Sequence, residues 1–185
     1  MKVTYTDIEG LLIIEPKVWP DSRGYFFESF QYDRYMEAGV SAPMIQDNEA
    51  FSGKGVLRGL HYQVPPMDQG KLVRAITGSL LDVAVDIRPG SPTYGKHHSI
   101  ILSDQNKLQF YIPPGFAHGY LCLSDDVIFA YKCSNYYSKS DEGGIIYNDP
   151  TLNIDWQFDL NEAIISEKDL HLPYFGNHKP WPVQK

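Results

Sequence analysis

The 185-residue chain has little of what marks several classes of protein. Its two cysteines, Cys122 and Cys133, are too few for a disulfide framework and do not form a C-x-x-C pair. No apolar run reaches the roughly 18 residues of a membrane span, and the N-terminal segment lacks the pattern of a signal peptide. The net charge of −7 argues against broad nucleic-acid binding. We therefore expect a cytoplasmic protein with neither a membrane nor a nucleic acid as partner.

Motifs of the common cofactors are missing as well. The sequence contains no G-x-G-x-x-G and no P-loop, so it predicts neither a dinucleotide nor a nucleoside triphosphate as cofactor. The adjacent residues His97 and His98 look at first like metal ligands. Neighbours in a strand point to opposite faces, however, so this pair does not favour a shared ion.

Alternation of apolar and polar residues dominates the chain. Between residues 81 and 87 every second residue is a large apolar one, which is typical of a half-buried strand. Further strand candidates, separated by Gly and Pro clusters, are residues 11–15, 25–30, 56–63, 72–76, 99–103, 109–112, 120–123 and 127–131. Helical pattern is limited to residues 33–38 and a capped start at Ser166. The pattern predicts an all-β sandwich or barrel. We expect a single domain over residues 1–185, with a surface tail from about residue 173.

Two short motifs bear the candidate chemistry. The first, R-G-L-H-Y-Q, ends at Gln63 and is followed by Lys71, and the second, P-P-G-F-A-H-G, ends one residue after His118. Together they resemble the two motifs of the cupin superfamily, which are small double-stranded β-helix barrels. Metal-binding cupins have H-x-H and a Glu in the first motif, where this chain has His61, Gln63 and Lys71. Because an ammonium group repels a divalent cation, we expect no metal.

Short segments between about residues 14 and 169 form a larger pattern. They are D-S-R-G-Y-F-F-E from residue 21, Q-D-N from 46, R-G-L-H from 58, Q-G-K-L-V-R from 69, D-V-A-V-D from 82, I-P-P-G-F-A-H-G from 112, Y-K-C from 131, E-G-G from 142 and S-E-K-D from 166. Each segment is weak evidence alone, but in this order and spacing they resemble the dTDP-4-dehydrorhamnose 3,5-epimerase family. The resemblance implies an all-β, cupin-like jelly roll (a double-stranded β-helix) with a few short helices. It also implies a homodimer that works without a cofactor.

The resemblance assigns roles to individual residues. His61 resembles the catalytic base, polarised by Asp169, and Tyr131 resembles the acid that returns a proton from the opposite face of the sugar. Lys71 is expected near the developing enolate oxygen. The implied substrate contacts are Arg23 and Arg58 at the pyrophosphate, Phe26 and Tyr137 at the nucleotide, His118 in the pocket wall, and Glu28, Gln46, Asn48, Glu142 and Lys168.

Elementary chemistry explains these residue types. A proton on a carbon beside a ketone is weakly acidic, so its removal needs a base and stabilisation of the enolate. A His–Asp pair supplies a base that titrates near neutrality, and a lysine ammonium stabilises the oxyanion. Inversion also needs a second group on the other face, and a tyrosine with a pKa of about 10 is a credible donor.

The expected reaction is epimerisation of dTDP-4-dehydro-6-deoxy-D-glucose at C3 and C5, giving dTDP-4-dehydro-L-rhamnose. It would serve dTDP-rhamnose synthesis for lipopolysaccharide or cell-wall polysaccharide. Three alternatives stay open: a single-centre epimerase of a related dTDP-4-keto-deoxysugar, a non-catalytic cupin that binds sugar nucleotides, and a metal-dependent cupin enzyme. Exchange of solvent deuterium into the sugar separates the first two from the double epimerase.

Overall fold

The computed structural model describes residues 1–182 of the chain. Its strands are β1 (Lys2–Tyr5), β2 (Leu12–Glu15), β3 (Val18–Asp21), β4 (Gly24–Phe27), β5 (Gln46–Ser52), β6 (Val56–Gln63), β7 (Lys71–Thr77), β8 (Ser79–Asp86), β9 (His97–Ser103), β10 (Gln109–Ile112), β11 (Phe116–Cys122), β12 (Val127–Cys133), β13 (Glu142–Gly144) and β14 (Ile164–Ile165). The helices are α1 (Tyr32–Glu37), a 3-10 turn (Leu160–Glu162) and α2 (Glu167–Leu170). Within residues 1–182, no helix has the length and apolar character needed to cross a bilayer.

Two sheets pack face to face across one core. The first has the strand order β1-β2-β10-β7-β12-β5, and the second has the order β13-β6-β11-β8-β9, with β14 parallel to β6. Val73 and Phe129 of the first sheet pack against Leu80, Ala84 and Tyr120 of the second. Apart from β14, the strand pairs are antiparallel, as in a jelly roll. The predicted all-β, cupin-like fold is therefore confirmed.

Strand β8 is more deeply buried than its pattern predicted. The alternation over residues 81–87 predicted a half-buried strand, yet every residue from 80 to 86 is buried. The reason is that this strand lies between β11 and β9 and is covered on both faces. One face lies in the core between the sheets, and the other packs on a second apolar cluster that includes Trp156 and Trp181.

Two side chains in the described part of the predicted surface tail from residue 173 are buried. Trp181 is 5% exposed and His178 is 8% exposed, because both pack against the outer face of the second sheet. The Tyr62 hydroxyl donates a hydrogen bond of 2.5 Å to the carbonyl oxygen of Lys179, which fixes the segment on β6. Residues 183–185 of the predicted tail lie outside the described residues.

Strand β5 was missed by the sequence prediction. Its sequence, Q-D-N-E-A-F-S, is polar, and its side chains alternate between half-buried and exposed positions until the buried Ser52. Such a strand lacks the apolar alternation that marks a core-facing strand. It pairs with β12 in the register Asn48 to Tyr131, and so it forms one wall of the site described next.

Candidate active site

A cavity of about 570 Å³ opens between the two sheets, and a smaller one of about 220 Å³ adjoins it. Both are lined by His61, Lys71 and Tyr131, so they form one continuous site. Other residues named by the sequence analysis also line it: Arg58, His118, Lys168 and Asp169 in the larger cavity, and Gln46, Asn48, Tyr137 and Glu142 in the smaller one. The fold thus brings together eleven of the residues that the sequence assigned to the site.

His61 and Asp169 form a hydrogen-bonded pair, although 108 residues separate them. His61 Nε2 lies 2.7 Å from Asp169 Oδ1, and the backbone N–H of Gly59 donates to Asp169 Oδ2 at 3.2 Å. The predicted capping by Ser166 is confirmed and begins the helix that carries Asp169. Burial alone would raise the pKa of Asp169, but the hydrogen bonds from His61 and Gly59 outweigh it, and the pKa lies below its usual value. The carboxylate therefore stays charged beside the imidazole.

Lys71 stands at the start of β7, on the first sheet. Burial lowers its pKa, although Cys133 and Asp82 act in the opposite direction. In the described part of the chain, no carboxylate oxygen lies within 4.0 Å of the Lys71 ammonium. Its charge is therefore not neutralised by a close ion pair and is available to an oxyanion in the cavity.

Tyr131 lies in the middle of β12, where its ring is 5.6 Å from the ring of Phe129. Burial raises the pKa of the Tyr131 phenol, and the Arg58 cation opposes that shift. The phenol is therefore protonated at neutral pH and can act as a proton donor. Since Tyr131 belongs to the first sheet and His61 to the second, the two groups reach the cavity from different walls.

His118 lies directly opposite His61 in the register of β11 on β6. Its Nε2 is 3.0 and 3.1 Å from the two oxygens of Asp82, and both side chains are buried. Burial lowers the pKa of His118, and the Lys71 charge adds to that effect, while Asp82 opposes it. The sequence analysis named no partner for His118. The pairing depends on strand register: His118 lies opposite Ala84 of β8, and Asp82 is two residues from Ala84 on the same strand face.

Lys168, Glu142 and Tyr137, which line the two cavities, are joined by a chain of polar contacts. Lys168 Nζ lies 2.6 Å from Glu142 Oε1, and the Tyr137 hydroxyl donates to Glu142 Oε2 at 3.1 Å. Burial would raise the pKa of Glu142, but the bond from Lys168 outweighs it and holds the pKa below its usual value. Because Lys168 precedes Asp169 in α2, this ion pair ties that helix to β13.

Three predicted substrate contacts do not reach this site within the chain. Arg23 lies in the turn between β3 and β4, where it pairs with Asp21 at 2.6 Å. Phe26, in β4, is 69% exposed, and Glu28 pairs with Arg34 at 2.9 Å. None of the three lines either cavity. The hairpin that carries them is a separate two-stranded sheet.

Among residues 1–182, no group of three or more His, Cys, Asp or Glu side chains is placed to hold a metal ion. His61 and His118 instead each contact a carboxylate through Nε2.

Glycine is required at position 59, where the paired strands β6 and β11 lie close together at the site. Its φ is +123°, and a Cβ there would lie 2.6 Å from Gly119 Cα and 2.8 Å from the His118 carbonyl oxygen. We expect Gly59→Ala to lower the free energy of unfolding by about 3 kcal/mol, since backbone strain and overpacking add. Urea unfolding measures it. Gly90→Ala is the matched control, because Gly90 has a φ of +83° and no atom within 4 Å of its added Cβ. It should cost only roughly 1–2 kcal/mol, and equal costs for both variants would contradict the steric argument.

Comparison with known proteins identifies the family. The model of the dTDP-4-dehydrorhamnose 3,5-epimerase family matches residues 5–177. A curated dTDP-4-dehydrorhamnose 3,5-epimerase from Shigella flexneri is 50% identical over 92% of this chain and 94% of its own. The crystal structure of a dTDP-6-deoxy-D-glucose-3,5-epimerase from Legionella pneumophila, in complex with dTDP-4-keto-L-rhamnose, has a TM-score of 0.91. It is 49% identical and covers 95% of this chain and 93% of its own.

A more distant structure is that of a 3'-monoepimerase from Streptomyces bikiniensis in complex with dTDP-quinovose. It has a TM-score of 0.86 and 34% identity, and it covers 92% of this chain and 86% of its own. Both the family model and the Shigella relative match nearly the whole length over which the site is built. The chain therefore belongs to the dTDP-4-dehydrorhamnose 3,5-epimerase family.

Proposed function

We propose that this chain inverts C3 and C5 of dTDP-4-dehydro-6-deoxy-D-glucose and releases dTDP-4-dehydro-L-rhamnose. The observation that carries the proposal is the meeting of the His61–Asp169 pair, Lys71 and Tyr131 around one cavity. The sugar nucleotide solved with the Legionella pneumophila relative supports the substrate class. No redox change occurs, because each inversion removes one proton and returns another.

The first step is proton removal by His61. A carboxylate can only accept hydrogen bonds, so His61 Nε2 carries a hydrogen toward Asp169 and Nδ1 is left as the base. Nδ1 takes the proton from C3 or C5, and the C–H electron pair moves to the ketone oxygen at C4 as an enolate. The Lys71 ammonium stabilises that oxyanion, and Asp169 stabilises the imidazolium that forms.

The second step is reprotonation by Tyr131 from the opposite wall. The enolate electron pair takes the phenolic proton at the carbon that was deprotonated, and the ketone at C4 forms again. The carbon is now inverted, His61 holds one additional proton, and Tyr131 lacks one. Transfer of that proton through solvent restores both groups. The same pair of residues then acts on the second carbon, since both carbons flank the same ketone.

The proposed homodimer accounts for the residues outside the cavity. Arg23 and Phe26 lie in a hairpin that forms its own two-stranded sheet, and Glu28 follows it directly. The exposed aromatic side chains of this hairpin include Trp19 at 44% and Tyr25 at 56%. In a dimer in which this hairpin reaches the partner's cavity, the three residues would contact the nucleotide there.

We also propose that the protein is located in the cytoplasm. The two cysteines are free and buried, which suits a reducing environment.

Proton NMR in deuterated water tests the proposed reaction. With the dTDP-linked 4-keto-6-deoxy sugar as substrate, we expect the signals of the protons on both C3 and C5 to disappear as the L-series product accumulates. Exchange confined to one carbon would select a single-centre epimerase, as the Streptomyces bikiniensis relative is named. Binding without any exchange would select a sugar-nucleotide binder. The assay is repeated with EDTA, because loss of turnover with the chelator would favour a metal-dependent enzyme.

A further inference from the structure

The Tyr120 hydroxyl is a polar group in the cavity that the proposed reaction does not use. Tyr120 lies in β11 opposite Arg58 of β6, lines the larger cavity and is 5% exposed. Within residues 1–182, its hydroxyl oxygen is the one buried side-chain polar atom that has no hydrogen-bond partner. Its ring is held 4.2 Å from the ring of Phe129, so packing fixes the position of the oxygen.

Ser52 lies in the same corner and binds Arg58. It ends β5, is 4% exposed, and its Oγ accepts hydrogen bonds from Arg58 Nε at 3.4 Å and Nη2 at 3.2 Å. Across the described residues, no carboxylate lies within 4.0 Å of the Arg58 guanidinium. Arg58 therefore keeps donors and charge for an anionic ligand, and its protein anchor is this one hydroxyl.

The Ser52 hydroxyl can still donate a hydrogen bond, and the Tyr120 hydroxyl can still accept one. Ser52 Oγ uses its lone pairs on Arg58 and retains its own hydrogen, while the Tyr120 oxygen has unused lone pairs. Both residues adjoin Arg58, Tyr120 as its partner in the strand register and Ser52 through hydrogen bonds. Burial raises the pKa of the Tyr120 phenol to about 12, and the Ser52 hydroxyl opposes that rise. Tyr120 is thus neutral at physiological pH and can accept the hydrogen of Ser52.

We propose that Tyr120 is a positioning residue for Arg58: its hydroxyl accepts the hydrogen of Ser52 as Arg58 engages the diphosphate, and so orients the Ser52 oxygen toward the guanidinium. A hydroxyl that donates in this way is a better acceptor, because hydrogen bonds in a chain polarise one another. The contact improves substrate binding and leaves the proton-transfer groups unchanged. The inference rests on the proposed function, in which Arg58 binds the sugar nucleotide.

Tyr120→Phe tests this role, since it removes only the oxygen. By calorimetry with dTDP-glucose, which has no ketone and does not react, we expect the Kd to rise roughly 3- to 10-fold, the range for one hydrogen bond. In turnover, the KM should rise by a similar factor and kcat should stay within about twofold, because His61, Lys71 and Tyr131 are intact. The Tm should not fall, since the lost hydroxyl has no hydrogen-bond partner among residues 1–182.

Tyr111→Phe is the matched control. Tyr111 is also a buried tyrosine, but its hydroxyl is bonded to Ser41 Oγ at 2.7 Å and lines neither cavity of the site. This variant should lower the Tm and leave the Kd for dTDP-glucose unchanged. A purely structural role for Tyr120 would instead make the Tyr120→Phe protein behave like this control.

Coupling to Ser52 provides the second readout. In a Ser52→Ala background, Tyr120→Phe should cause no further rise in Kd, because the oxygen it would orient is already gone. Provided that the parent protein binds and turns over, an unchanged Kd in Tyr120→Phe would overturn the role of Tyr120. The role would also be overturned if the two substitutions together raised the Kd by the product of their separate factors. A parent protein that does not bind dTDP-glucose would overturn the proposed function itself, and this inference with it.

Discussion

Replacing His61 by asparagine is expected to lower kcat by about 10³-fold, within the range for loss of a general base. Both inversion and deuterium incorporation should be lost at C3 and at C5, because one base serves both carbons. The asparagine amide can still donate to Asp169, so the buried carboxylate keeps a partner and the fold is maintained. Turnover and exchange are followed together by proton NMR in deuterated water.

Two measurements separate loss of the base from loss of the site. The Kd for dTDP-glucose and the Tm should both stay close to the parent values in His61→Asn. His97→Asn is a control of the same type, because His97 is a half-buried histidine in β9 that lines neither cavity. It should retain full turnover. Exchange at either carbon that survives in His61→Asn would assign the base to another residue, with His118 as the nearest candidate.

The sequence predicted the strands that have a clear apolar pattern. The chemistry of the candidate site was predicted through the family resemblance. Strand β6 was placed with correct bounds, and the helix start at Ser166 was confirmed. The pairing of His61 with Asp169 could be proposed only from the resemblance. It joins positions 108 residues apart, and no local rule of spacing connects them.

What the sequence did not predict depends on tertiary packing. Strand β5 is polar because it faces a cavity, so its pattern resembled that of a loop. His178 and Trp181 are buried because they cover the outer face of the second sheet, a surface that exists only after folding. The pairing of Asp82 with His118 follows from the register of β11 on β8. Arg23 was assigned to the site by motif, yet the chain folds it away from its own cavity.

The Lys71 environment suits the ketone substrate of the proposed reaction. Burial lowers the pKa of the Lys71 ammonium, and no carboxylate lies within 4.0 Å of it among the described residues. In the proposed reaction, an enolate oxygen that develops beside Lys71 would supply the missing counter-charge, and the interaction would strengthen as the reaction proceeds. Stabilisation that is larger in the transition state than in the ground state is what accelerates a chemical step.

Tyr131→Phe is expected to separate proton exchange from inversion. The variant keeps His61, Asp169 and Lys71, so the enolate can still form and His61 can return a proton to the face from which it was taken. Inversion should fall by roughly 10²- to 10⁴-fold, the usual contribution of a positioned acid. Deuterium should nevertheless enter the unchanged substrate, because the imidazolium exchanges its proton with solvent before returning it. Proton NMR in deuterated water distinguishes the deuterated starting sugar from the product.

Two control measurements for Tyr131→Phe depend on the packing of the ring. Phenylalanine keeps the contact with Phe129, so the Tm and the affinity for dTDP-glucose should stay near the parent values. If exchange and inversion fall by the same factor, Tyr131 acts in enolate formation and not as the opposite-face acid. If inversion persists at the parent rate, another donor reaches that face of the sugar. Exchange without inversion is the one pattern that requires His61 and Tyr131 to act from opposite walls of the same cavity.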